Sequence, residues 1–508
     1  MLIALVLSIL FSLVIGILAA RNKKAEAIII PVLDVFQSIP ILGFFPLVIL
    51  GIIAVFPGGI GVNLAVIFLI FTSMSWNIAF GVYEAVKSIP QDYIDLSHMS
   101  ESGSWRRITS LYIPASLSRI AYNTQTSWAV GLFYLVSSEI LTLGTTNYYA
   151  TYGIGVRIFE FAEMGDWTGY TYAIISLIIT VIVWQFVFLR EFALWSEKYK
   201  FVEEPRGIKK DPIMRVYSWV NQRSISKLFL LTQGRGVTRF TSSLSRFRRG
   251  VKYAIPIVFL IFLAFEFGAL VSLPTDFKNL PSPSLVLQDE SKVLVALFFS
   301  FIRVWYVYFI CVLVGLPLGI AIALNSRLYN FLSPAIEVIA SIPAPILLPV
   351  LVLYLNHNGE AVAALIIFLG MIWYIIFNVM AGVRSLPNEL FELNKVFQVS
   401  RFQRWRNVYF PATLTAFVTG SITAVGAAWN TLIVAEYFNF GASGTTGPTT
   451  QVGIGIGKTI SEAVSSNPAD LLTLSLAIFS MTALIVTFNL TVWRRVYHYT
   501  TKRYAYNR

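Results

Sequence analysis

The sequence has few charged residues and few residues suited to cross-links or metal sites. Of its 508 residues only 13% are charged and 56% are hydrophobic, whereas about a quarter of the residues in a soluble protein are charged. The single cysteine, Cys311, excludes a disulfide within the chain. His98, His357 and His498 are far apart in sequence and indicate no metal-ligand cluster.

The sequence also shows no set of residues that indicates catalysis. We find no nucleophile with a neighbouring base and no pair of carboxylates spaced for acid–base chemistry. We therefore predict a protein that is not an enzyme and that binds no metal or cofactor of its own.

Apolar stretches fill most of the chain. Runs of about 20 apolar residues have the length of a helix that crosses a hydrocarbon layer of ~30 Å. We therefore predict an all-α polytopic membrane protein with about 11 transmembrane helices. The predicted spans lie near residues 2–20, 27–55, 60–86, 117–143, 169–194, 252–273, 294–324, 332–355, 359–382, 413–437 and 470–493.

The distribution of positive charge predicts the orientation of these spans. The first apolar run precedes its basic residues, unlike a signal peptide, so the positive-inside rule puts the N-terminus outside and the C-terminus in the cytoplasm. All but five of the 38 lysines and arginines then fall in cytoplasmic segments. This explains the net charge of +12 without any nucleic-acid partner. The segments are 21–26, 87–119, 190–252, 325–330, 383–412 and 494–508.

One long polar region, residues 195–250, interrupts the apolar chain. It is rich in Arg, Lys, Ser and Gly. We interpret it as a basic cytoplasmic linker with amphipathic pieces that lie on anionic lipid. A regulatory or partner-docking role is the alternative.

The chain contains an internal repeat. VLDVFQSIPILGFFPLVIL (32–50) aligns with AIEVIASIPAPILLPVLVL (335–353) at an offset of 303, and VKSIP (86–90) aligns with VRSLP (383–387) at an offset of 297. The first half is predicted over 1–194 with about five spans, and the second over 251–508 with about six. Because both copies have the same orientation, we expect a pseudo-two-fold axis along the membrane normal. Whether the first copy lacks an initial helix stays open.

A polar insert occurs once in each copy, between two predicted spans on the cytoplasmic side. The inserts are DLSHMSESGSWRRITSLYIP (95–114) and ELNKVFQVSRFQRWRNVYFP (392–411). A proline precedes each insert and breaks the incoming span. We predict a short helix along the membrane surface, followed by a basic and aromatic piece, with the final proline at the start of the next span.

The inserts resemble the EAA loop of permease subunits from ATP-binding-cassette importers. That motif runs Glu-Ala-Ala, three residues, Gly, nine residues, then Ile-x-Leu-Pro, and its spacing ends on Pro114 in one insert and Pro411 in the other. The glycine position holds Glu101 and Gln398 instead. LPSPSLVL, SIPAPILLPVLVLYL and AAWNTLIVAEYF are similar to the nitrate/sulfonate/taurine branch of this family. The resemblance covers nearly all of 280–493 and, more weakly, 1–194.

The resemblance implies a function, partners and a set of coupling residues. The chain would hold both permease halves of a type I importer in the cell membrane. Two separate ATPase subunits would bind ATP and Mg and would dock on the inserts, an extracytoplasmic binding protein would deliver the solute, and an oxyanion or organic sulfonate is the family-level expectation. The coupling residues would be Asp95, Glu101, Arg106, Arg107, Pro114, Glu392, Gln398, Arg404, Arg406 and Pro411.

Charged residues within predicted spans are candidates for the translocation path. Glu139 and Glu436 match each other at the outer ends of repeated helices, and a charge at the bilayer centre costs about 2.5–3.5 kcal/mol on insertion scales. They either line or gate the path, or form structural hydrogen bonds or face the interface. Arg303 is the one cation placed to hold an anion. For the matching pair Asp34 and Glu337, helix-dipole and packing roles suffice.

The segment VGIGIGKT (452–459) is similar to a phosphate-binding loop but lacks the required first glycine, since Val452 occupies that position. We expect its glycines, and those of YGIGVR (152–157), to allow close backbone packing instead. An ion-coupled secondary transporter built from parallel repeats is the alternative function. A membrane-embedded enzyme is a weaker one.

Overall fold

The described chain is helical throughout. A computed structural model describes residues 1–38, 40–99, 104–143, 153–196, 199, 283–386, 397, 400–437, 452–466 and 470–504, and no strand occurs among them. All of these except Tyr199 belong to one compact unit formed by residues 1–198 and 273–508. The all-α prediction is confirmed. The predicted span 252–273 and nearly all of the linker lie outside the described residues.

The first half contains ten helical segments. Two of them, α6 and α9, run into a π-helical turn that joins them to the next helix. The segments are α1 (Leu2–Arg21), α2 (Lys23–Ser38), α3 (Ile41–Val55), α4 (Gly59–Lys87), α5 (Gln91–Met99), α6 (Ser104–Arg107) with its π turn (Ile108–Tyr112), α7 (Ile113–Leu143), α8 (Ile154–Glu163), α9 (Trp167–Val183) with its π turn (Trp184–Leu189) and α10 (Arg190–Ser196).

The described part of the second half repeats this order. It comprises α11 (Pro283–Leu324), α12 (Ser326–Ala340), a 3₁₀ turn (Ala344–Leu347), α13 (Leu348–Tyr354), α14 (Gly359–Arg384), α15 (Arg401–Arg404) with its π turn (Trp405–Tyr409), α16 (Phe410–Tyr437), α17 (Ile456–Ser465), α18 (Leu471–Phe488) with its π turn (Asn489–Trp493) and α19 (Arg494–Tyr504).

Seven of the eleven predicted spans correspond to helices that are long and apolar enough to cross a membrane. Among the described residues these are Leu2–Arg21, Gly59–Lys87, Trp167–Ser196, Glu290–Leu324, Gly359–Arg384, Phe402–Tyr437 and Leu471–Lys502. The predicted span 117–143 lies within the single long helix α7, which is not one of these seven helices.

Two predicted spans are not continuous helices, so the prediction was wrong on this point. The span 27–55 is divided into α2 and α3, and the span 332–355 is bent by 78° between Ser326–Ala340 and Ala344–Tyr354. Both breaks fall at the repeated sequence Ser-Ile-Pro. Proline donates no backbone hydrogen bond and disfavours helical geometry in the residue before it, so Pro40 and Pro343 each end a helix at matching positions.

The prolines that end the inserts do not begin a new span as predicted. Pro114 is the second residue of α7 and Pro411 the second of α16, and each follows a π turn that continues the preceding short helix. The backbone N–H of Ile113 donates to the oxygen of Ile108, and Phe410 N–H donates to Trp405 in the same way. We attribute both turns to the missing proline N–H, which removes an ordinary α-helical hydrogen bond there.

Both halves pack their helices in the same way. In the first half α1 lies against α4 and α4 against α7; in the second, α11 lies against α14 and α14 against α16. The element after each Ser-Ile-Pro break also reaches the other half: α3 contacts α16 and α17, and the 3₁₀ turn contacts α7 and α8. The two copies therefore meet through exchanged elements.

Candidate functional site: a cavity between the two halves

A cavity of about 1310 Å³ lies between the two halves. Its wall includes positions from α2, α4 and α7 of the first half, and from α11, α12, α14, α16 and α18 of the second. On α14 the lining residues run from Leu369 to Ala381, and on the last helices from Leu484 to His498. These positions fall in the part of each helix nearer the inserts. On α16, however, the lining runs from Ile422 to Thr431, in the half of that helix away from its insert, so the cavity extends from the middle of the bundle to its insert end.

Glu337 supplies a carboxylate to the cavity wall. It lies about 16 Å along α12, from a rise of 1.5 Å per residue, and is partly buried. Gln125 and Gln185 of the first half both donate to Glu337 Oε1, with Nε2 of Gln185 at 2.8 Å. The carboxylate of one half is thus held by two amides of the other. The sequence interpretation of Glu337 as a dipole or packing residue was incomplete.

A second group of charges is buried at the far end of α16, away from the inserts. Glu436 is fully buried and Arg303 is 3% exposed, and a guanidinium N–H of Arg303 donates to Glu436. Ser300 Oγ donates to the same carboxylate at 2.8 Å. Arg303 also binds Glu360 through Nε at 2.9 Å and through Nη2 at 2.7 Å. The desolvation cost of burying these charges is offset by a complete set of partners.

The matching carboxylate in the first half binds the backbone of the next short helix. Glu139 is 5% exposed, and Gly155 N–H donates to its Oε2 at 2.6 Å. In the second half Gly457 N–H donates to Glu436 Oε2 at 2.8 Å. Each carboxylate therefore fixes the start of a short helix, α8 or α17, against the end of a long one.

Glycine is required where these segments cross the carboxylates. A Cβ atom on Gly455 would lie 2.5 Å from Glu436 Cδ, and one on Gly153 would overlap Glu139 in the same way. These are the glycines of VGIGIGKT and YGIGVR, so the close packing expected of them is observed.

The three residues predicted to belong to the path do not line this cavity. Glu139, Glu436 and Arg303 are all buried in the clusters at the far ends of α7 and α16. Their predicted part in lining or gating the path stays a prediction.

The described coupling residues lie at the insert end of the structure. Asp95 is exposed on α5 and accepts a hydrogen bond from Gln91 at 2.9 Å. Arg106 and Arg406 are exposed, and Arg404 is partly buried, with its Nε lacking a hydrogen-bond partner among the described residues. Arg107, Pro114 and Pro411 are each partly buried. Glu101, Glu392 and Gln398 lie outside the described residues.

Helix α5 presents an apolar surface that the sequence interpretation did not single out. Tyr93, Leu96 and Met99 are 51%, 68% and 83% exposed, whereas Ile94 is 7% exposed. Residues three apart share one face of a helix. The short helix thus rests on the bundle through Ile94 and leaves an apolar stripe uncovered, which is typical of an interaction site.

Comparison with known proteins agrees with this arrangement. The family model described as binding-protein-dependent transport system inner membrane component matches residues 12–194 and, separately, 315–504. The chain belongs to this family. The two matches fall one on each half, so the repeat is a repeat of the family's own domain.

Three curated relatives illustrate the similarity. A nitrate import permease protein of Synechocystis sp. is 29% identical over 31% of the chain and 62% of the relative. A bicarbonate transport system permease protein of Synechococcus elongatus is 29% identical over 28% and 52%. A taurine transport system permease protein of Escherichia coli is 31% identical over 27% and 50%. The chain matches between half and five-eighths of the length of these relatives.

Proposed function

We propose that this chain supplies both transmembrane halves of the permease of an ATP-binding-cassette importer. Two family domains in one chain would together form one translocation path for a small solute. The observation that carries the proposal is the cavity between the halves, whose wall is supplied by both copies of the repeat. The relatives' names as import permeases support the same function.

The proposed orientation has the inserts, the linker and the C-terminus in the cytoplasm, and the N-terminus outside. It follows from the positive-inside distribution of lysine and arginine. The cavity would then face the cytoplasm, and the Glu139 and Glu436 clusters would lie near the outer surface. In this state the outer end of the path is closed by short helices α8 and α17, which the two carboxylates hold in place. An extracytoplasmic binding protein would dock at this end.

Coupling to ATP hydrolysis is proposed to run through the inserts. One ATPase subunit would dock on each insert and would carry the ATP and magnesium itself. In the first insert the exposed Tyr93, Leu96 and Met99 supply the apolar contact, and the exposed Arg106 supplies positive charge. Because α6 continues through its π turn into α7, a movement imposed on the insert is passed directly to a long helix.

The experiment is co-purification of the chain with its candidate ATPase subunit, followed by transport-coupled ATPase activity in vesicles. Leu96→Asp puts a charge in the centre of the apolar stripe. We expect it to reduce the retained ATPase by at least about tenfold, because a charge facing an apolar contact is desolvated on docking. Paired changes at Glu392 and Arg404, and at Asp95 and Arg107, should weaken coupled activity in the same direction.

Met164→Asp is the matched control, since Met164 is 76% exposed at the opposite end of the bundle. It should retain the ATPase. Full retention of the ATPase and full coupled activity in Leu96→Asp and in both paired variants would overturn the coupling proposal.

A further inference from the structure

The cavity offers little to attract an anion. The charged side chains in its wall are Glu337 and Arg494, joined by His498. Arg494 and His498 are exposed on the last helix, so they lie at its mouth. No lysine occurs among the described lining residues. Arg303, the cation expected to hold an anion, is already engaged by Glu436 and Glu360.

The Glu337 carboxylate keeps one oxygen for a ligand. Both amides, from Gln125 and Gln185, donate to Oε1. Oε2 accepts no hydrogen bond from the described residues. Arg190 acts on Glu337 electrostatically but is not part of the cavity wall. A carboxylate retained this deep in a membrane protein marks a pathway or binding role by default.

Aromatic rings form a continuous wall in the same cavity. Phe301, Trp305, Phe488 and Trp493 all line it. The ring centroids of Trp305 lie 5.2 Å from Phe488 and 6.3 Å from Trp493, and Phe301 lies 6.0 Å from Phe488. Aromatic faces attract organic cations within about 6 Å of the ring centroid. They also bury flat apolar groups, so the wall suits a solute with both features.

The remaining polar lining is neutral. Asn77, Asn123, Asn378 and Asn430 contribute amide groups, which orient a solute without selecting the sign of its charge. The cavity thus combines one inward negative group, an aromatic wall and uncharged amides.

Resting on the proposed permease function, we infer that the solute is an organic cation or amine with an aromatic or similarly flat apolar part. Glu337 is the group that selects the charge, and the wall of Phe301, Trp305, Phe488 and Trp493 holds the apolar part. A small inorganic oxyanion would meet a carboxylate inside the path, because Arg494, the arginine of the described wall, is exposed at the mouth.

The test uses three probes with the same phenyl ring and different charges on the purified full chain. Benzylammonium, benzyl alcohol and benzoate are titrated against tryptophan fluorescence, to which Trp305 and Trp493 contribute among the 12 tryptophans of the chain. Nitrate is titrated separately. We expect benzylammonium to bind at least about tenfold more tightly than benzoate. At a distance of a few ångströms the Glu337 carboxylate attracts the ammonium and repels the benzoate, and the difference in interaction energy corresponds to a factor of this order even with partial screening. Nitrate should give no saturable binding.

Glu337→Gln removes the charge and keeps an oxygen that accepts from Gln125 and Gln185. It should bring the benzylammonium-to-benzoate ratio close to one and leave benzyl alcohol binding unchanged, which shows that the cavity is intact. Glu84→Gln is the matched control, because Glu84 is exposed on α4 and does not line the cavity. It should leave the ratio as in the parent chain.

The inference is overturned if benzoate or nitrate binds as tightly as benzylammonium, or if Glu337→Gln leaves the ratio unchanged. Such a result combined with normal ATPase docking would refute the inferred solute class but not the proposed permease function. Failure of ATPase docking would instead count against the permease function.

Discussion

At the insert-side ends of α4 and α14, residues at matching positions of the repeat form different kinds of contact. In the first half Lys87 Nζ lies 2.7 Å from a carboxylate oxygen of Glu26. In the second half the repeat places Arg384 opposite Tyr329, and its guanidinium carbon lies 4.4 Å from the ring centroid. An ion pair in one copy is thus a cation–π contact in the other.

A second matching contact exchanges its residues between helices. In the first half Asn123 of α7 packs on Gly81 of α4 and donates to the backbone oxygen of Asn77 at 2.8 Å. In the second half the asparagine is on α14 and the glycine on α16: Asn378 packs on Gly420 and donates to the oxygen of Tyr374 at 2.9 Å. The accepting carbonyls, at 77 and 374, are also matching positions.

These pairs show that the repeat preserves the positions at which helices are in contact more strictly than the side chains that form the contacts. One small residue and one amide are needed where the two helices cross, and either helix supplies either member. The buried carboxylates follow the same rule, because Glu139 and Glu436 both bind a glycine N–H while Arg303 is added only at Glu436.

Removing each of the two buried carboxylates should give the largest difference in stability loss between the two halves. Glu436→Ala leaves Arg303 buried without its most buried partner, and breaking a buried pair costs about 3–5 kcal/mol. Glu139→Ala leaves the Gly155 N–H without its acceptor, which costs about 1–3 kcal/mol. Unfolding by SDS titration in mixed micelles measures both, with Glu84→Ala as the control. Equal losses for the two variants would contradict the difference drawn between the clusters.

Adding a methyl group at the glycine crossings should have the next largest effect. Gly455→Ala and Gly153→Ala each place a Cβ against a buried carboxylate, and such overpacking costs about 1–3 kcal/mol. Gly453→Ala is the control, because a Cβ there meets nothing within 4 Å; it should change stability by less than about 0.5 kcal/mol. The same unfolding titration applies. A loss at Gly453 as large as that at Gly455 would show that backbone conformation before α17, not contact with the carboxylate, is responsible.

The asparagine–glycine contact can be tested by giving the first half the residue order of the second half. Gly81→Asn alone collides with Asn123, whereas Gly81→Asn with Asn123→Gly reproduces the order seen at 378 and 420. We expect the double variant to recover most of the stability lost by Gly81→Asn, with a coupling energy of about 0.5–3 kcal/mol. A double-mutant cycle on unfolding free energies measures it, and strict additivity would refute the exchange.

The smallest expected effect is at the Glu26–Lys87 pair. The hydrogen bond from Lys87 lowers the pKa of Glu26 below its ordinary value of 4.5. Because the folded-state pKa is lowered, the contribution of this pair is present above the ordinary pKa and is lost as the pH falls through the folded value. Glu26→Gln should therefore slightly destabilise the chain at neutral pH, and the difference should vanish in acid.

Thermal unfolding at pH 7 and at successive acidic values measures this trend. The second half offers its own comparison, since Tyr329→Phe keeps the ring beneath Arg384 and should show no such acid dependence. A difference between Glu26→Gln and the parent chain that grows in acid would reverse the assigned sign.

Much of the fold could be predicted from the sequence, because the length of the apolar runs and the offset of the repeat can both be read without knowing which residues are in contact. The match of Glu139 to Glu436 and the role of the glycines were recovered in this way. The partners of Arg303 were not, since Glu360 and Glu436 lie 57 and 133 residues away. Helices surrounded by lipid are apolar on every side, so their sequences do not say which face meets a neighbour.

The breaks at Ser-Ile-Pro could have been predicted, because Pro40 and Pro343 occupy repeated positions within long apolar runs. The apolar length of each run favours one continuous span, whereas the proline favours the break that the structure shows. The role of Glu337 was less accessible. Its partners Gln125 and Gln185 come from the other half, and an isolated glutamate in an apolar run does not distinguish a packing residue from a cavity residue.

The exchanged elements after the two breaks have a consequence for how the chain is built. The element after each break forms a hydrogen bond with the opposite half. Leu42 N–H donates to Asn430 at 3.4 Å, and Tyr170 donates to the oxygen of Ile346 at 2.7 Å. Part of the surface that each copy buries is therefore covered by the other copy. If the gene were divided within the linker, both products would have to be made together for either to persist in the membrane.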